Sequence, residues 1–297
     1  MDATLWQRLV HGVCRLYQSP EFERFAGPDW PRRIMRMAVT DRLHAKQGRS
    51  IGRLNLESQG HRLVVYLKRH YRLPWWHGLW TLLRPGAGWS PALQEWEHLR
   101  WAREQGLPVP EAVAAGEFIG PWGRLQSFLA VKELTGMLPL HQAIPAAAAK
   151  LDSSTFRRWK YGLAIEIARL AAELHRRRRF HKDFYLCHFY VPDEDTVRLP
   201  RWRGRVHLID LHRLGYHRWT WPFWLVKDLG QLWYSSEVPG VHPRDRLFFW
   251  RVYCKANAWA RTVPWLLLCI RLKAWNYRRH SRRGGRRSLP QGVRAAT

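Results

Sequence analysis

His181-Lys182-Asp183-Phe184-Tyr185-Leu186-Cys187-His188-Phe189 and, further on, Val206-His207-Leu208-Ile209-Asp210-Leu211-His212-Arg213 are the stretches whose reading decides the fold. Each sets an aspartate beside an apolar segment. Phosphoryl transfer needs two such carboxylates: one accepts the proton of an attacking hydroxyl, the other holds the magnesium that bridges nucleotide phosphates. Asp183 follows a histidine and a basic residue after a long helical pattern, which is the setting of a general base. Asp210 ends the apolar run 206–209, where a carboxylate is placed to hold a hard cation. Taken singly, Asp210 reads equally as the cap of a turn or helix, and the plainer reading of Asp183 is a loop aspartate capping a turn. Taken together, they favour a phosphotransferase.

Working outward, Lys68 ends the β-branched and aromatic run 63–67 and can meet nucleotide phosphates. In a chain with 50 basic residues it is also a candidate solvated charge. Ser90 and Pro91 predict the N-cap and first position of a helix that Gly106 closes. Glu95 lies on that helix and is the partner expected to orient Lys68, with Glu97 as its rival. Residues 46–53 (KQGRSIGR) carry Gly48 and Gly52 in a polar, basic turn. Four arginines, Arg176, Arg177, Arg178 and Arg179, precede the first motif. They read equally as a solvated or nucleic-acid-binding face and as a site for the phosphates of an acceptor.

The remaining pattern supplies the frame. Residues 1–31, punctuated by Pro20, Pro28 and Pro31, read as short helices and loops. Residues 74–90 read as an irregular insertion. Strands are predicted near 112–118 and 125–133. A long helix capped by Asp152, Ser153 or Ser154 follows, with Phe156, Trp159, Leu163, Ile167, Leu170 and Leu174 on one face. Further helices are predicted over 221–236 and 244–275, and a disordered basic tail from Arg278. Strands come first and helices later, which defines an α+β chain. The expected divisions are an extension (1–31), a small β-rich lobe (32–134), a larger helical lobe (135–277) and the tail (278–297).

The net charge of +27 must meet anions: nucleic acid, anionic lipid or a phosphorylated substrate. Cys14, Cys187, Cys254 and Cys269 form no CxxC pair, which argues against a zinc site or disulfide framework and for a reducing compartment. No signal-peptide pattern opens the sequence. The longest apolar run, 263–270, is too short to span a bilayer. Residues 263–277 read either as the last core helix or as an amphipathic helix lying in a membrane interface.

The pieces HKDFYLCHFYV (181–191), HLIDLHRL (207–214) and KDLGQLWYSS (227–236), with KQGRSIGRL (46–54), the lysine of YLKRH (66–70) and QEWEHLRWAREQGLPVPE (94–111), resemble the lipopolysaccharide kinase family. These bacterial enzymes phosphorylate heptose or Kdo in the lipopolysaccharide core. The heptose-kinase branch matches best. The resemblance implies a two-lobed protein-kinase-like fold that uses ATP and Mg²⁺. It casts Asp183 as catalytic base, Asp210 as magnesium ligand, Lys68 as phosphate contact and Glu95 as its support. Gly48 and Gly52 fall in the nucleotide-covering loop, and Glu133 and Leu134 in the hinge against the adenine. His188 takes the second metal or phosphate position, where a protein kinase carries asparagine. Asp228 anchors the catalytic loop from behind. The loop 46–53 departs from a strict GxGxxG pattern, and imidazole is a soft ligand for magnesium.

The acceptor so implied is an anionic glycolipid, and the setting is the bacterial cytoplasm, with an anionic membrane surface as a further partner and no transmembrane span. Two competing readings remain. A nucleic-acid-binding protein would use the charge but leave the aspartate motifs idle. A kinase-fold scaffold without catalysis would not need Lys68, Asp183 and Asp210 together.

Overall fold

The computed structural model describes residues 5–44, 48–83, 90–258 and 263–284. The chain divides into two compact units, residues 1–135 with 210–212, and residues 136–209 with 213–297.

The first unit is built on a six-stranded antiparallel sheet. In chain order its elements are α1 (Leu5–His11), β1 (Val13–Gln18), α2 (Pro20–Ala26), α3 (Trp30–Arg33), β2 (Thr40–His44), β3 (Arg49–Ser58), β4 (His61–His70), α4 (Trp75–Leu83), α5 (Pro91–Glu104), β5 (Ala112–Ile119) and β6 (Leu125–Lys132). The strand order is β1-β5-β6-β4-β3-β2. The described part of residues 1–31 holds the expected short helices, α1 to α3, but adds a strand and joins the core. β1 pairs with β5 along its length, and Phe22, Trp30 and Ile34 enter the core with Leu63, Val65, Leu67 and Phe128. Trp30 meets Phe22 and Phe128 edge-on, at ring separations of 5.2 and 5.5 Å. The prolines 20 and 31 sit in the first turns of α2 and α3, where a missing N–H costs nothing, so they start helices here. The insertion expected to be irregular contains α4, whose Leu82 is buried against Ile119 and Leu125.

The second unit is mostly helical. It comprises β7 (Met137–Pro139), α6 (Leu140–Lys150), α7 (Ser153–Arg176), β8 (Arg179–Phe180), β9 (Phe189–Pro192), β10 (His207–Leu208), β11 (Gly215–Tyr216), α8 (Trp221–Ser235), α9 (Pro243–Ala256) and α10 (Pro264–Gly284). Asp152 caps α7, accepting bonds from the Ser154 and Thr155 amides. Five of the six residues of the apolar stripe read from the sequence are buried, Trp159, Leu163, Ile167, Leu170 and Leu174, and Phe156 at its start is half-buried. α10 runs on to Gly284, past the start of the expected tail. The rest of that tail lies outside the described residues. Among the described residues, no helix is long and apolar enough to cross a membrane.

Candidate active site

In the first unit, β4 and α5 bring Lys68 and Glu95 together. Lys68 lies between Ile51 of β3 and Leu129 of β6 in the sheet register. Glu95 shares the buried face of α5 with Ala92, Leu99 and Ala102, and Glu97 is exposed. A carboxylate buried on an apolar face requires a partner. Lys68 Nζ supplies it at 2.7 Å from Glu95 Oε1 and lies 3.0 Å from Asp210 Oδ1. His212 Nδ1 stands 3.0 Å from the same Asp210 oxygen. His98 Nδ1 donates to the Leu211 carbonyl at 2.9 Å and so fixes the segment that carries Asp210.

The electrostatics follow from one ammonium between two carboxylates. Burial works against the charged form of Lys68, but Glu95 and Asp210 outweigh it and push its pKa up. Burial likewise works to raise Asp210, yet the His212 hydrogen bond and the Lys68 charge hold it well below the carboxylate range. His70 is pushed down to about 4 by burial and by the charges of Arg49, Lys68 and His212, so it is neutral at physiological pH. The trio Lys68, Glu95 and Asp210 therefore carries a net negative charge, which suits a cation. Asp210 itself lies beyond the end of β10, not on a strand, with a left-handed φ of 63°.

Of the expected nucleotide loop, Lys46 and Gln47 lie outside the described residues. β2 precedes it, and β3, which pairs antiparallel with β2, begins at Arg49 inside it, so its second half is strand and not turn. Gly48 has φ of 75° and its carbonyl accepts from the Tyr71 amide, so its conformation favours glycine. Gly52 faces Leu67 in the β3–β4 ladder. The Glu133 side chain is held by a bidentate pair with Arg53, at 2.7 Å for both bonds, and its amide donates to the Val64 carbonyl. Leu134 follows it, half-buried.

In the second unit, Asp183 sits on a loop that α8 holds by its main chain. Asp228 accepts from the amides of His181 and Lys182, both at 2.8 Å. Gln231 accepts from the Phe184 amide at 2.9 Å and donates to the Lys182 carbonyl at 3.0 Å, and Ser235 Oγ accepts from the Leu186 amide at 2.8 Å. Asp228, Gln231 and Ser235 are spaced three and four apart, so one face of α8 carries all of them. Sequence reading found Asp228 alone. The polar residues at i+3 and i+7 on an otherwise apolar helix were the available signal for the other two.

Arg213 contacts both oxygens of Asp183, at 3.1 and 3.3 Å. His188 Nδ1 lies 2.7 Å from the Asp183 carbonyl, which makes Nδ1 the protonated nitrogen and leaves the lone pair on Nε2. The Ile209 amide donates to the His188 carbonyl at 2.9 Å.

The arginine run is divided. Arg176 and Arg177 pair with Glu173 one turn back. Arg178 lies over the Trp221 ring at 4.2 Å and Arg179 over Tyr216 at 5.9 Å.

Among the described residues, no group of three or more histidine, cysteine, aspartate or glutamate side chains is arranged to hold a metal. Magnesium does not require one. It is commonly bound through one or two carboxylates plus substrate phosphates and water. The Asp210 carboxylate, in a cluster of net negative charge, fits that pattern.

Fold and residue chemistry together define a protein-kinase-like phosphotransferase, and comparison with known proteins agrees. The chain belongs to the lipopolysaccharide kinase (Kdo/WaaP) family, which it matches over residues 41–253. It is similar to the lipopolysaccharide core heptose(I) kinase WaaP of Pseudomonas aeruginosa, with 30% identity over 213 residues, 70% of this chain and 74% of that one. The Escherichia coli protein of the same name is 28% identical over 55% of this chain and 60% of its own length. A solved structure of WaaP in complex with acyl carrier protein is similar with a TM-score of 0.67 at 26% identity, over 88% of this chain and 98% of that one. The protein is thus an ATP-dependent kinase acting on a sugar hydroxyl of the lipopolysaccharide core.

Proposed function

We propose that the acceptor is a heptose hydroxyl of the lipopolysaccharide core and that the residues above carry the reaction. Asp183 takes the proton of that hydroxyl as its oxygen attacks the γ-phosphorus of ATP and the bond to the β–γ bridging oxygen breaks. Lys68, steadied by Glu95, binds nucleotide phosphate oxygens. Asp210 would be the magnesium ligand, and the lone pair of His188 Nε2 would be a second donor to the metal. Bound magnesium neutralises charge that develops on the phosphates. Residues 46–52 cover the nucleotide, and the main chain of Glu133 and Leu134 meets the adenine while Arg53 holds the Glu133 carboxylate aside.

The observation that carries this reading is the Lys68–Glu95–Asp210 cluster, three residues distant in sequence joined by contacts of 2.7 and 3.0 Å. The experiment is transfer of labelled phosphate from ATP to heptose-containing and heptose-free core acceptors by the wild type and by Asp183→Asn and Asp210→Ala variants. Transfer only to the heptose-containing acceptor, lost in both variants, supports it. Full activity in both variants sinks it.

We further propose that α10 rests on an anionic membrane surface. Leu266, Ile270 and Ala274 are its buried face, so the core reading of this segment holds for one side. The other side exposes Trp265 (62%), Leu268 (56%), Leu272 (54%) and Trp275 (49%), at helical spacing among Arg271, Lys273 and Arg279. Such a face, apolar with basic flanks, suits an interface of anionic lipid. Flotation with anionic but not neutral vesicles, lost in a Leu268→Glu/Leu272→Glu variant, is the expected result. Acyl carrier protein is a partner to test by co-purification, since the related structure is a complex with it.

A further inference from the structure

Beside Asp183 stand cations to which the reaction scheme gives no work. Lys182 Nζ lies 4.8 Å from the centre of the Trp224 ring and Lys227 Nζ 5.1 Å from it. His217 stacks on the same indole with ring centres 4.6 Å apart. Gly215 makes room for the first lysine: a Cβ at that position would stand 2.9 Å from Lys182 Cε and closer still to its ammonium. Lys182 is set in this direction by a left-handed backbone with φ of 67°, which the two Asp228 bonds and the Gln231 bond hold in place.

The charges here are not balanced. Among the described residues, no carboxylate is within ion-pair distance of Lys182 or Lys227. Asp228 directs both oxygens at backbone amides. Asp183 is engaged by Arg213. Burial lowers the pKa of each lysine, and the Arg213 charge lowers both further; Lys227 adds to the lowering of Lys182, against the attraction of Asp228. For Lys227 this outweighs the attraction of Asp183 and Asp228, and Lys273 adds to the repulsion. Half-buried like charges on an aromatic floor are unfavourable by themselves and become favourable when an anion joins them.

We propose that Lys182, Arg213 and Lys227 form a subsite for an anionic group of the acceptor, a phosphate or carboxylate on the glycan, which places the reacting hydroxyl against Asp183. The proposal rests on Asp183 being the base. It makes the three cations positioning residues that select a charged acceptor over a neutral sugar. Arg213 links recognition to chemistry. The acceptor's anion competes with Asp183 for the guanidinium, and drawing Arg213 away frees the carboxylate oxygens that Arg213 contacts.

The test is steady-state transfer from ATP to three acceptors: intact core glycolipid, the same stripped of phosphate, and the same with its carboxyl groups reduced. Lys227→Ala should raise KM for the intact acceptor about tenfold or more, change kcat less than about threefold and leave KM for ATP unchanged. Lys227→Arg should restore the wild-type KM. On one stripped acceptor the wild type and Lys227→Ala should become equal, and which one it is identifies the anion as phosphate or carboxylate. The proposal is overturned if KM for ATP rises instead, which would put the cluster on nucleotide phosphate, or if the variant loses the same factor on all three acceptors. Unchanged melting temperatures separate these outcomes from unfolding. Asp183→Asn keeps the two readings distinct: full transfer by that variant removes the base, while the Lys227 effect on KM still reports on the subsite.

Discussion

The two charged centres of this protein are built on opposite plans. In the first unit, Lys68, Glu95 and Asp210 hold one another by side-chain ion pairs, and the chemistry-bearing groups are themselves the scaffold. In the second unit, the loop carrying Asp183 is held by its main chain, through Asp228, Gln231 and Ser235 of one helix, and positive charge accumulates around it. The difference has an energetic consequence. A mutation in the first centre removes function and stability together, because it leaves a buried charge without its partner. In the second centre the two are separable: the anchors hold the loop, and the proposed work on substrate falls to Asp183 and its surrounding cations, which do not hold it.

The largest effect expected from this contrast is on rate. Asp183→Asn should lower kcat by roughly 10²–10⁴-fold, the usual range for a general base, with little change in melting temperature. Single-turnover phosphoryl transfer and a thermal melt on the same sample check both halves. A variant that loses stability along with rate would erase the distinction between the centres.

Next is the Lys68 pair. Glu95→Ala should cost about 3–5 kcal/mol of stability, since it leaves the lysine partly buried with Asp210 alone, and it should also depress transfer. Denaturant unfolding measures the first and labelled ATP the second. Asp228→Asn is the counterpart in the second unit. An amide keeps the shape but offers one acceptor where two backbone N–H groups converge, for a loss of about 1.5–3 kcal/mol. Hydrogen exchange at His181 and Lys182 should quicken while the first unit is unaffected. Matching losses of protection in both units would show that the centres do not unfold independently.

The smallest effect is in pH dependence. The folded state holds His70 at about 4, below its value in the unfolded chain. The unfolded state therefore binds the extra proton first as pH falls. The contribution of His70 is fully present above the unfolded pKa near 6.5 and is lost as pH drops from there towards 4. That loss should be about 1–2 kcal/mol after discounting for residual exposure, and His70→Gln should flatten the unfolding free energy over that window. A wild-type profile already flat there would mean that the ring is not constrained by its charged neighbours.

Much of this was legible in the chain because the signals are local. The Ser90 cap, Pro91 and the apolar steps of α5 mark the helix that carries Glu95. The buried stripe of α7 follows from its spacing. The two aspartate motifs mark themselves by the apolar segments beside them. What was missed depended on partners distant in sequence. β1 reads as nothing in particular until β5 lies beside it, because a short strand takes its stability from the neighbouring ladder. α4 looked irregular because tryptophan, proline and glycine cluster around it, yet burial of Leu82 outweighs that composition. The arginine run looked like one site and is two structures, since Arg176 and Arg177 turn back to Glu173 and Arg178 and Arg179 lie on aromatic rings contributed by later segments.

The sequence by itself determined the fold class and the order of the parts and pointed to the residues we propose handle phosphate, because helical periodicity, caps and motifs are written in near neighbours. Only the tertiary structure decided that Glu95, and not Glu97, meets Lys68, that Arg213 engages Asp183, and that Lys182 and Lys227 converge on Trp224. Those are facts about which charges share a low-dielectric space, and charge interactions are set by distance and burial, which no local pattern of residues encodes.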